Sequence, residues 1–437
     1  MTPPDSVDVP DSVDVVVIGG GIVGCSTAWF LAKRGLKVAL CEKGRIAGEQ
    51  SGRNWGFVRQ QGREAAEMPM IMDSLAIWRE LEAEIGEDVG FAQTGTLYLA
   101  RNQRELDKRT EWLAVAEKYQ IDTKVISGAA LDNLLEGSDG RWTGAVYTAS
   151  DGRAEPAKAA PAIARAAERL GAAVLTTCAV RGIETTAGRV AAVVTEHGTI
   201  ATQAVVCAAG VWSSLFSGNL GITVPQLKVR GTVARTAPAP NIADGSVWSP
   251  EIAIRRRQDG GYTVAHGGMS EHPITPDSFR FFRLFLGAYD ADRASLRLQL
   301  DHCFLEELKT PRRWALDAPT VFEKTRVLDP APSPRVLRAM RTNLARWIPE
   351  LADIPFVETW AGMIEASPDI LPIICEAEAL PGYFIATGFS GHGFGIGPGA
   401  GRAIADMVAG APAMYDMSPF RLTRFFDGTK LNPGQAV

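Results

Sequence analysis

The chain has 437 residues, 46% of them apolar, which is enough to fill the cores of two or three domains. Its formal charge is -5 and its Lys and Arg are scattered along the chain, so it offers no basic field to nucleic acid. Six cysteines, at 25, 41, 178, 207, 303 and 375, form no CxxC pair; they read as buried reduced thiols, not a disulfide frame or metal site, and with no signal peptide the expected compartment is the cytoplasm.

Residues 1–13 are rich in Pro and Asp and carry PDSVDV twice in tandem, at 4 to 9 and 10 to 15. They read as a flexible tail, mobile or loosely docked, with a duplicated scrap of sequence. Val15 to Ile18 is a short apolar run of β-branched residues, as a buried parallel strand requires. It ends on Gly19, Gly21 and Gly24 in GxGxxG spacing. The spacing then predicts a helix from Ile22 to Arg34 with Gly35 at its C′ position, and a second strand, Lys37 to Leu40, that delivers Glu42. Gly19 permits the tight turn, Gly21 lets the backbone approach a pyrophosphate at the helix N-terminus, Gly24 lets helix and strand pack closely, and Glu42 can accept from a ribose hydroxyl. Strand, glycines, helix, strand and acid in this order point to a dinucleotide site. The uncharged run Val15 to Ala32 is long enough to span a membrane, but its glycines and the lack of a positive n-region argue against a span. An acid at 42 disfavours a 2′-phosphate and leaves NAD and FAD open.

Residues 43–64 are polar, glycine-rich and too long for a plain connector, which suits a loop wrapped around a ligand. Leu75, Trp78, Leu81 and Ile85 keep helical spacing up to Gly86. Phe91 to Ala100 reads as strand, Gln103 to Tyr119 as helix, and Ser127 as the cap of a short helix through Leu135. The nucleotide fold resumes near Glu155, with an alanine-rich helix Pro156 to Leu170 closed by Gly171, a strand Ala173 to Thr177, a meander from Gly182 to Ala201 turning at Ala187-Gly188, and a strand Ala204 to Cys207. From Thr223 to Phe356 alternating segments such as Gly261 to Ala265, with two helices around 278 to 309, indicate an antiparallel sheet. Tyr383 to Thr387 is again a buried strand, and GFSGHGFGIGPGAG leads into a helix Ala400 to Val408. The expected fold class is α/β: a Rossmann-like nucleotide domain in three parts (14–60, 155–221, 357–430), interleaved with an α+β substrate domain in two (61–154, 222–356).

EKGRIAGEQSGR at 42 to 53, CAVRGIET at 178 to 185, VWSSLFSGNLGI at 211 to 222 and SPDILPII at 367 to 374 give the chain its resemblance to the glycine oxidase, D-amino-acid oxidase and sarcosine oxidase superfamily of flavoproteins, and within it to bacterial L-amino-acid deaminases, without their membrane helix. The resemblance decides for FAD over NAD. It implies that Gly19, Gly21, Ile22, Gly24, Glu42 and Lys43 hold the ADP half of FAD and that Val180 meets the adenine through its backbone. Gln50, Ser51, Gly52 and Arg53 lie along the ribityl chain and isoalloxazine, Ala209, Gly210 and Trp212 line the pyrophosphate side, and Gly388, Gly391, His392, Gly393, Phe394 and Gly395 approach the flavin ring. Physics supports the last assignment: a helix N-terminus supplies amide donors and positive potential where reduced flavin gathers charge. Relatives place a carboxylate-binding arginine five residues before the signature aspartate, where this chain has Ile364; the arginine of the deaminases falls on Gly267; and the cysteine by which some sarcosine oxidases attach FAD falls on Gly362, so FAD is expected to be non-covalent.

The implied reaction is oxidative deamination of an amino acid, L-amino acids favoured, by hydride transfer from the α-carbon to flavin N5, giving imino acid and then keto acid and ammonia, with O2 or a quinone or other electron-transfer acceptor. The alternatives are a D-amino acid, N-substituted amino acid, opine or other amine as substrate, or a flavin-binding subunit of a hetero-oligomeric dehydrogenase. An α-carboxylate calls for an arginine, and Arg59, Arg63 and Arg230 are candidates. His266 and His392 can hold a carboxylate or take an amine proton, Glu365 can favour a cationic group, and Phe57 and Trp360 can wall the pocket. Each also reads as an ordinary structural residue.

Overall fold

The computed structural model describes residues 7–138, 140–293 and 295–432, and two sheets carry its architecture. Val15–Ile18 lies inside a six-stranded sheet of order Ile373–Glu376, Tyr383–Thr387, Ala204–Cys207, Val15–Ile18, Val38–Cys41, Ala173–Leu175. Every neighbour is parallel except Ile373–Glu376, which runs antiparallel to Tyr383–Thr387. Both faces of this sheet are covered, which is why its strands read as unbroken apolar runs. The helices Ile22–Lys33, Pro156–Arg169 and Gly393–Val408 pack together over one face. The meander Val180–Thr186, Arg189–Thr195, Thr199–Ala201 covers the other, with Ile183, Val193 and Ile200 in one cluster with Val16 and Val205.

The second sheet has ten strands. It is antiparallel apart from two parallel pairs, Thr96–Ala100 with Ser246–Trp248 and Ser270–Pro273 with Leu296–Gln299. Its longest pairing joins Leu227–Thr236 to Phe356–Ala366, in register from Leu227↔Ala366 to Thr236↔Phe356. The helix Pro334–Trp347 closes it by burying Val336, Met340 and Leu344 in the cluster of Leu97, Val247 and Tyr262. The fold is α/β with a large mixed, mainly antiparallel sheet beside the nucleotide-type layer.

Several local expectations differ from the structure for identifiable reasons. The strand expected over Phe91 to Ala100 spans only Thr96–Ala100. Gln103 to Tyr119 is two helices, Gln103–Thr110 and Leu113–Lys118, parted where Trp112 turns its indole to donate to the Arg63 carbonyl at 2.8 Å. The short helix is Ala129–Asp132, with Gly128 and not Ser127 at its N-cap. The segment read as two helices around 278 to 309 is three, Pro276–Arg280, Phe282–Asp292 and His302–Lys309, with the strand Leu296–Gln299 between them. The last helix starts at Gly393 instead of Ala400, because its glycines sit inside it against neighbouring backbone. Phe356–Ala366 belongs to the large sheet, so the return to the nucleotide layer falls after 366 rather than at 357.

Residues 7–13 are docked: Ala201 N–H donates to the Asp11 carbonyl at 2.9 Å, Val13 N–H donates to the Ala201 carbonyl at 3.0 Å, and Val7, Val9 and Val13 pack on the cluster beneath the meander. Residues 1–6 lie outside the described residues. All six cysteines are free, and Cys25, Cys41, Cys178 and Cys207 are buried. No helix among the described residues is long and apolar enough to cross a membrane.

A buried ion pair ties the layers together. Arg255, only 1% exposed, donates to both Glu155 oxygens at 2.9 and 3.3 Å and to the Trp55 carbonyl at 2.6 Å. Glu155 stands at the N-cap of Pro156–Arg169 and holds its charge, burial being outweighed by Arg255. Breaking such a pair strands a charge, so Arg255→Ala should cost about 3–5 kcal/mol, read as a lowered urea midpoint with an unchanged slope.

Candidate active site

A cavity of about 680 Å³ opens where the carboxyl ends of the six-stranded sheet face the large sheet. Its first region is built by the opening strand-helix-strand unit. Gly19 has φ 107, and a Cβ there would lie 2.5 Å from the Ala208 carbonyl, so only glycine makes the turn. Beyond it the first amides of Ile22–Lys33 have no intrahelical acceptor; that of Ile22 is taken by Ser51 Oγ at 2.8 Å. Glu42 accepts from the amides of Gly20 and Gly44, both at 2.7 Å, while burial raises its pKa.

The loop after Glu42 is pinned at several points. Lys43 Nζ donates to Glu49 at 2.7 Å and to the Thr325 carbonyl at 2.7 Å, with its charge 4.7 Å above the Trp212 ring. Trp212 donates from Nε1 to Glu49 at 3.1 Å. Arg53 donates to the carbonyls of Gly48 at 3.1 Å and Ala361 at 2.9 Å and pairs with Asp329. Gly19, Gly21, Ile22, Glu42, Lys43, Gln50, Ser51, Arg53, Val180, Ala209, Gly210 and Trp212 all border the cavity. So do Gly391, His392, Gly393, Phe394 and Gly395 at the start of the last helix.

The other region collects buried cations. Arg59 is 5% and Arg63 3% exposed. Arg59 donates to the Gln61 carbonyl and lies 5.5 Å over the Tyr98 ring. Arg63 reaches the carbonyls of Arg59 at 3.3 Å and His392 at 3.4 Å, and its Nη1 has no partner among the described residues. Burial, then the neighbouring Arg59 charge, lowers its pKa to about 10. Neither guanidinium meets a carboxylate among the described residues. Beside them His392 Nδ1 faces Glu67 at 3.2 Å, and Nε2 has no described partner. Burial, followed by the charge of Arg63, lowers His392 to about 4. Burial works to raise Glu67, but His392 and Arg63 outweigh it and lower its pKa. Phe57, His266, Ile364 and Glu365 also line the cavity. His266 Nδ1 accepts from Gly268 N–H at 3.2 Å, and burial lowers its pKa.

Five expected site residues do not border the cavity. Gly24 packs on the Gly19 carbonyl, Gly52 on the Ala47 carbonyl, and Gly388 against Ser367 and Ile373. Arg230 turns away and is consumed by Glu271, at 2.7 and 2.9 Å, and Gln299. Trp360 donates from Nε1 to the Arg53 carbonyl at 2.9 Å, supporting the loop instead of walling the pocket. Conversely, sequence reasoning missed Glu67, whose partner His392 is 325 residues away, and a wall formed by Phe282–Asp292. The signal for that wall was present: Phe282, Phe285, Leu286 and Tyr289, at helical spacing, line the cavity although the helix buries no residue fully.

The pattern of the family described as "FAD dependent oxidoreductase" matches residues 14–407. The chain belongs to that family. Among FAD-dependent oxidoreductases of known structure, the L-amino acid deaminase from Proteus myxofaciens, solved with anthranilate, is 34% identical, with a TM-score of 0.92 over 96% of this chain and 95% of that one. The glycine oxidase of Geobacillus kaustophilus is 27% identical over 94% of this chain and 97% of its own. The mitochondrial sarcosine dehydrogenase of Mus musculus is 29% identical over 95% of this chain, yet the chain spans only 42% of that protein's length.

The cavity suits the family's cofactor. It joins two glycine-rich helix starts, whose first amides have no intrahelical acceptor, through a wall with more apolar than polar surface. Gly362 borders it close to Arg53 and offers no thiol. Cys41 is also on the wall, but its hydrogen bond with Cys178 and its burial hold its thiol well above the ordinary range. Acid precipitation should therefore release the yellow colour into the supernatant, and colour in the pellet would contradict a non-covalent flavin. Between pH 6.5 and about 4 the unfolded His392 takes a proton that the folded residue refuses. Its share of stability is complete above pH 6.5 and is lost as pH falls toward 4, a loss of roughly 3 kcal/mol that urea titrations of the apoprotein should show and that His392→Asn should remove.

Proposed function

We propose that the chain is an FAD-dependent oxidoreductase acting on the C–N bond of an amino acid, with L-amino acids favoured and keto acid and ammonia as products. The observation that carries this reading is the pair of buried guanidiniums, Arg59 and Arg63, on a cavity wall with no carboxylate partner among the described residues. Glu67 and Asp151 offset these charges from a distance without touching either guanidinium, and a planar fork of donors suits a carboxylate. Arg59 and Arg63 hold the substrate's α-carboxylate in the place left by the apolar Ile364 and by Gly267.

FAD is held by Gly19, Gly21, Ile22, Glu42, Lys43 and Val180 at its adenosine end. Gln50, Ser51, Arg53, Ala209, Gly210 and Trp212 follow along its middle, and residues 391–395 stand at the ring. Bound there, the flavin supplies the acceptor for the hydride that leaves the α-carbon. The protein supplies position and proton handling. Glu67 fixes the His392 tautomer with the proton on Nδ1, which leaves the Nε2 lone pair to accept the proton of the substrate ammonium. Burial is the main cause of the low His392 pKa; a carboxylate on Arg63 and Arg59 offsets the second cause, their charge, and so moves the imidazole toward a more basic state. Phe57 and Ile364 keep water from the reacting carbon.

A second reading has its own support: an N-methylated amino acid as substrate, favoured by the 29% identity to sarcosine dehydrogenase over nearly the whole chain. The electron acceptor in either case is O2 or a quinone-type carrier.

Anaerobic addition of L-, D- and N-methylamino acids one at a time, watching the flavin bleach, separates these readings without a guess about the acceptor. Bleaching by L-amino acids is expected, and no bleaching by any amino acid would overturn the function. Arg59→Ala or Arg63→Ala should lower kcat/KM by about 2 kcal/mol, roughly thirtyfold; wild-type kinetics in both variants would overturn the carboxylate assignment.

A further inference from the structure

The buried carboxylates of this chain are almost all matched. Glu155 meets Arg255, Glu271 meets Arg230, Asp369 meets Arg424 and Glu67 meets His392. Asp151 accepts the amides of Gln60 at 2.7 Å and Gln61 at 3.3 Å. Glu365 is the exception. It is 5% exposed, its Oε1 accepts one long hydrogen bond from Phe389 N–H at 3.4 Å, the Gln50 side chain stands near enough to favour its charged form, and its Oε2 has no partner within hydrogen-bond geometry among the described residues. Among the described residues no cation pairs with it, yet it lies on the cavity wall.

Strand geometry says which side of the cavity it serves. Along Phe356–Ala366 successive side chains point to opposite faces. On one face, Gly362 lies by Arg53, and Ile364 lies over Gly231 and toward Gly391. On the other, Met363 joins the cluster of Ile18, Cys207 and Ile385 under the nucleotide sheet. Glu365 shares that second face, and its carboxyl sits between the Gln50 side chain and Phe389, just past the end of Tyr383–Thr387. Arg59, Arg63 and His392 belong to different elements, and none bonds to it. With Oε1 serving as acceptor for Phe389, Oε2 is the oxygen left to carry a proton. Burial pushes the carboxyl up to about 7, with Glu49 adding to the rise.

We propose that Glu365 binds the flavin half of the cofactor, donating a hydrogen bond from its Oε2 hydroxyl to the ring or its ribityl chain, and that it takes no part in holding the substrate. This rests on the FAD reading above. A buried polar group left unmatched by the protein is explained when its ligand supplies the missing acceptor. Glu365, which the sequence alone suggests as a partner for a cationic substrate group, serves the cofactor's side of the cavity.

The test is FAD affinity. Apoprotein of the wild type, Glu365→Gln, Glu365→Met and Glu365→Ala is titrated with FAD, following the quenching of flavin fluorescence. Far-UV circular dichroism checks the fold. The donor-keeping Glu365→Gln should bind within roughly threefold of wild type, and the isosteric but donor-free Glu365→Met should lose about tenfold or more, with Glu365→Ala beside it. At saturating FAD, KM for the amine substrate should stay within about twofold in every variant. Three results would overturn the proposal: Glu365→Met binding FAD as wild type does, Glu365→Gln failing as badly as Glu365→Met, or KM rising while FAD affinity holds. Wild-type apoprotein that takes up no FAD would instead remove the cofactor reading itself, and the proposal with it.

Discussion

The pairing of Leu227–Thr236 with Phe356–Ala366 is the contact on which the rest of the structure depends. It is the longest ladder in the large sheet, and the chain leaves it to add Ile373–Glu376 and Tyr383–Thr387 to the edge of the other sheet. One strand therefore touches both layers. Its Met363 is packed beneath the nucleotide sheet, its Ile364 faces the cavity, and its Ala361 carbonyl accepts from Arg53. Because side chains alternate along a strand, a slip of one residue would exchange the apolar ceiling at 364 with the acid at 365 and destroy both surfaces at once. Register here is a condition of the site as well as of the fold.

Charge is arranged around that spine in two groups. Arg59, Arg63, Glu67, Asp151 and His392 form one set held by burial, in which the two arginines feel Glu67 and Asp151 without touching them. Arg255 with Glu155, and Arg424 with Asp369, form the other: closed pairs, fully used within the protein. The closed pairs bind elements to each other, whereas in the first set neither guanidinium bonds to a carboxylate among the described residues. Arg230 shows that residue type does not decide between them. Its guanidinium would suit a carboxylate, but Glu271 and Gln299 already occupy it.

Much of the fold was legible because local signals agreed. A buried parallel strand, a glycine turn and an amphipathic or alanine-rich helix each leave a pattern that does not need the rest of the chain, so the six-stranded sheet and the glycine-rich segments that border the cavity were legible in the sequence. What escaped has a common cause. Glu67 acts through a residue 325 positions away, Trp360 through a carbonyl in another segment, and Glu365 through the face its strand turns inward. Such roles are set by long-range register, which composition and spacing do not encode. The wall Phe282–Asp292 escaped for another reason: with no fully buried residue, its apolar stripe looks like ordinary core packing until the cavity beside it is seen.

The tightness around Gly267 bears on how this protein's substrate range can evolve. Any β-carbon added there would run into the Ser249 carbonyl, with the Trp248 indole close behind. The route by which relatives are expected to gain a carboxylate-binding arginine at this position is therefore closed to a single mutation, because backbone at 248–249 would have to move first. Ile364 already carries a side chain into the cavity and has no such barrier. In a lineage starting from this sequence, new anion selectivity is more accessible through position 364 than through 267, and the packing at 249 acts as a historical ratchet on the choice.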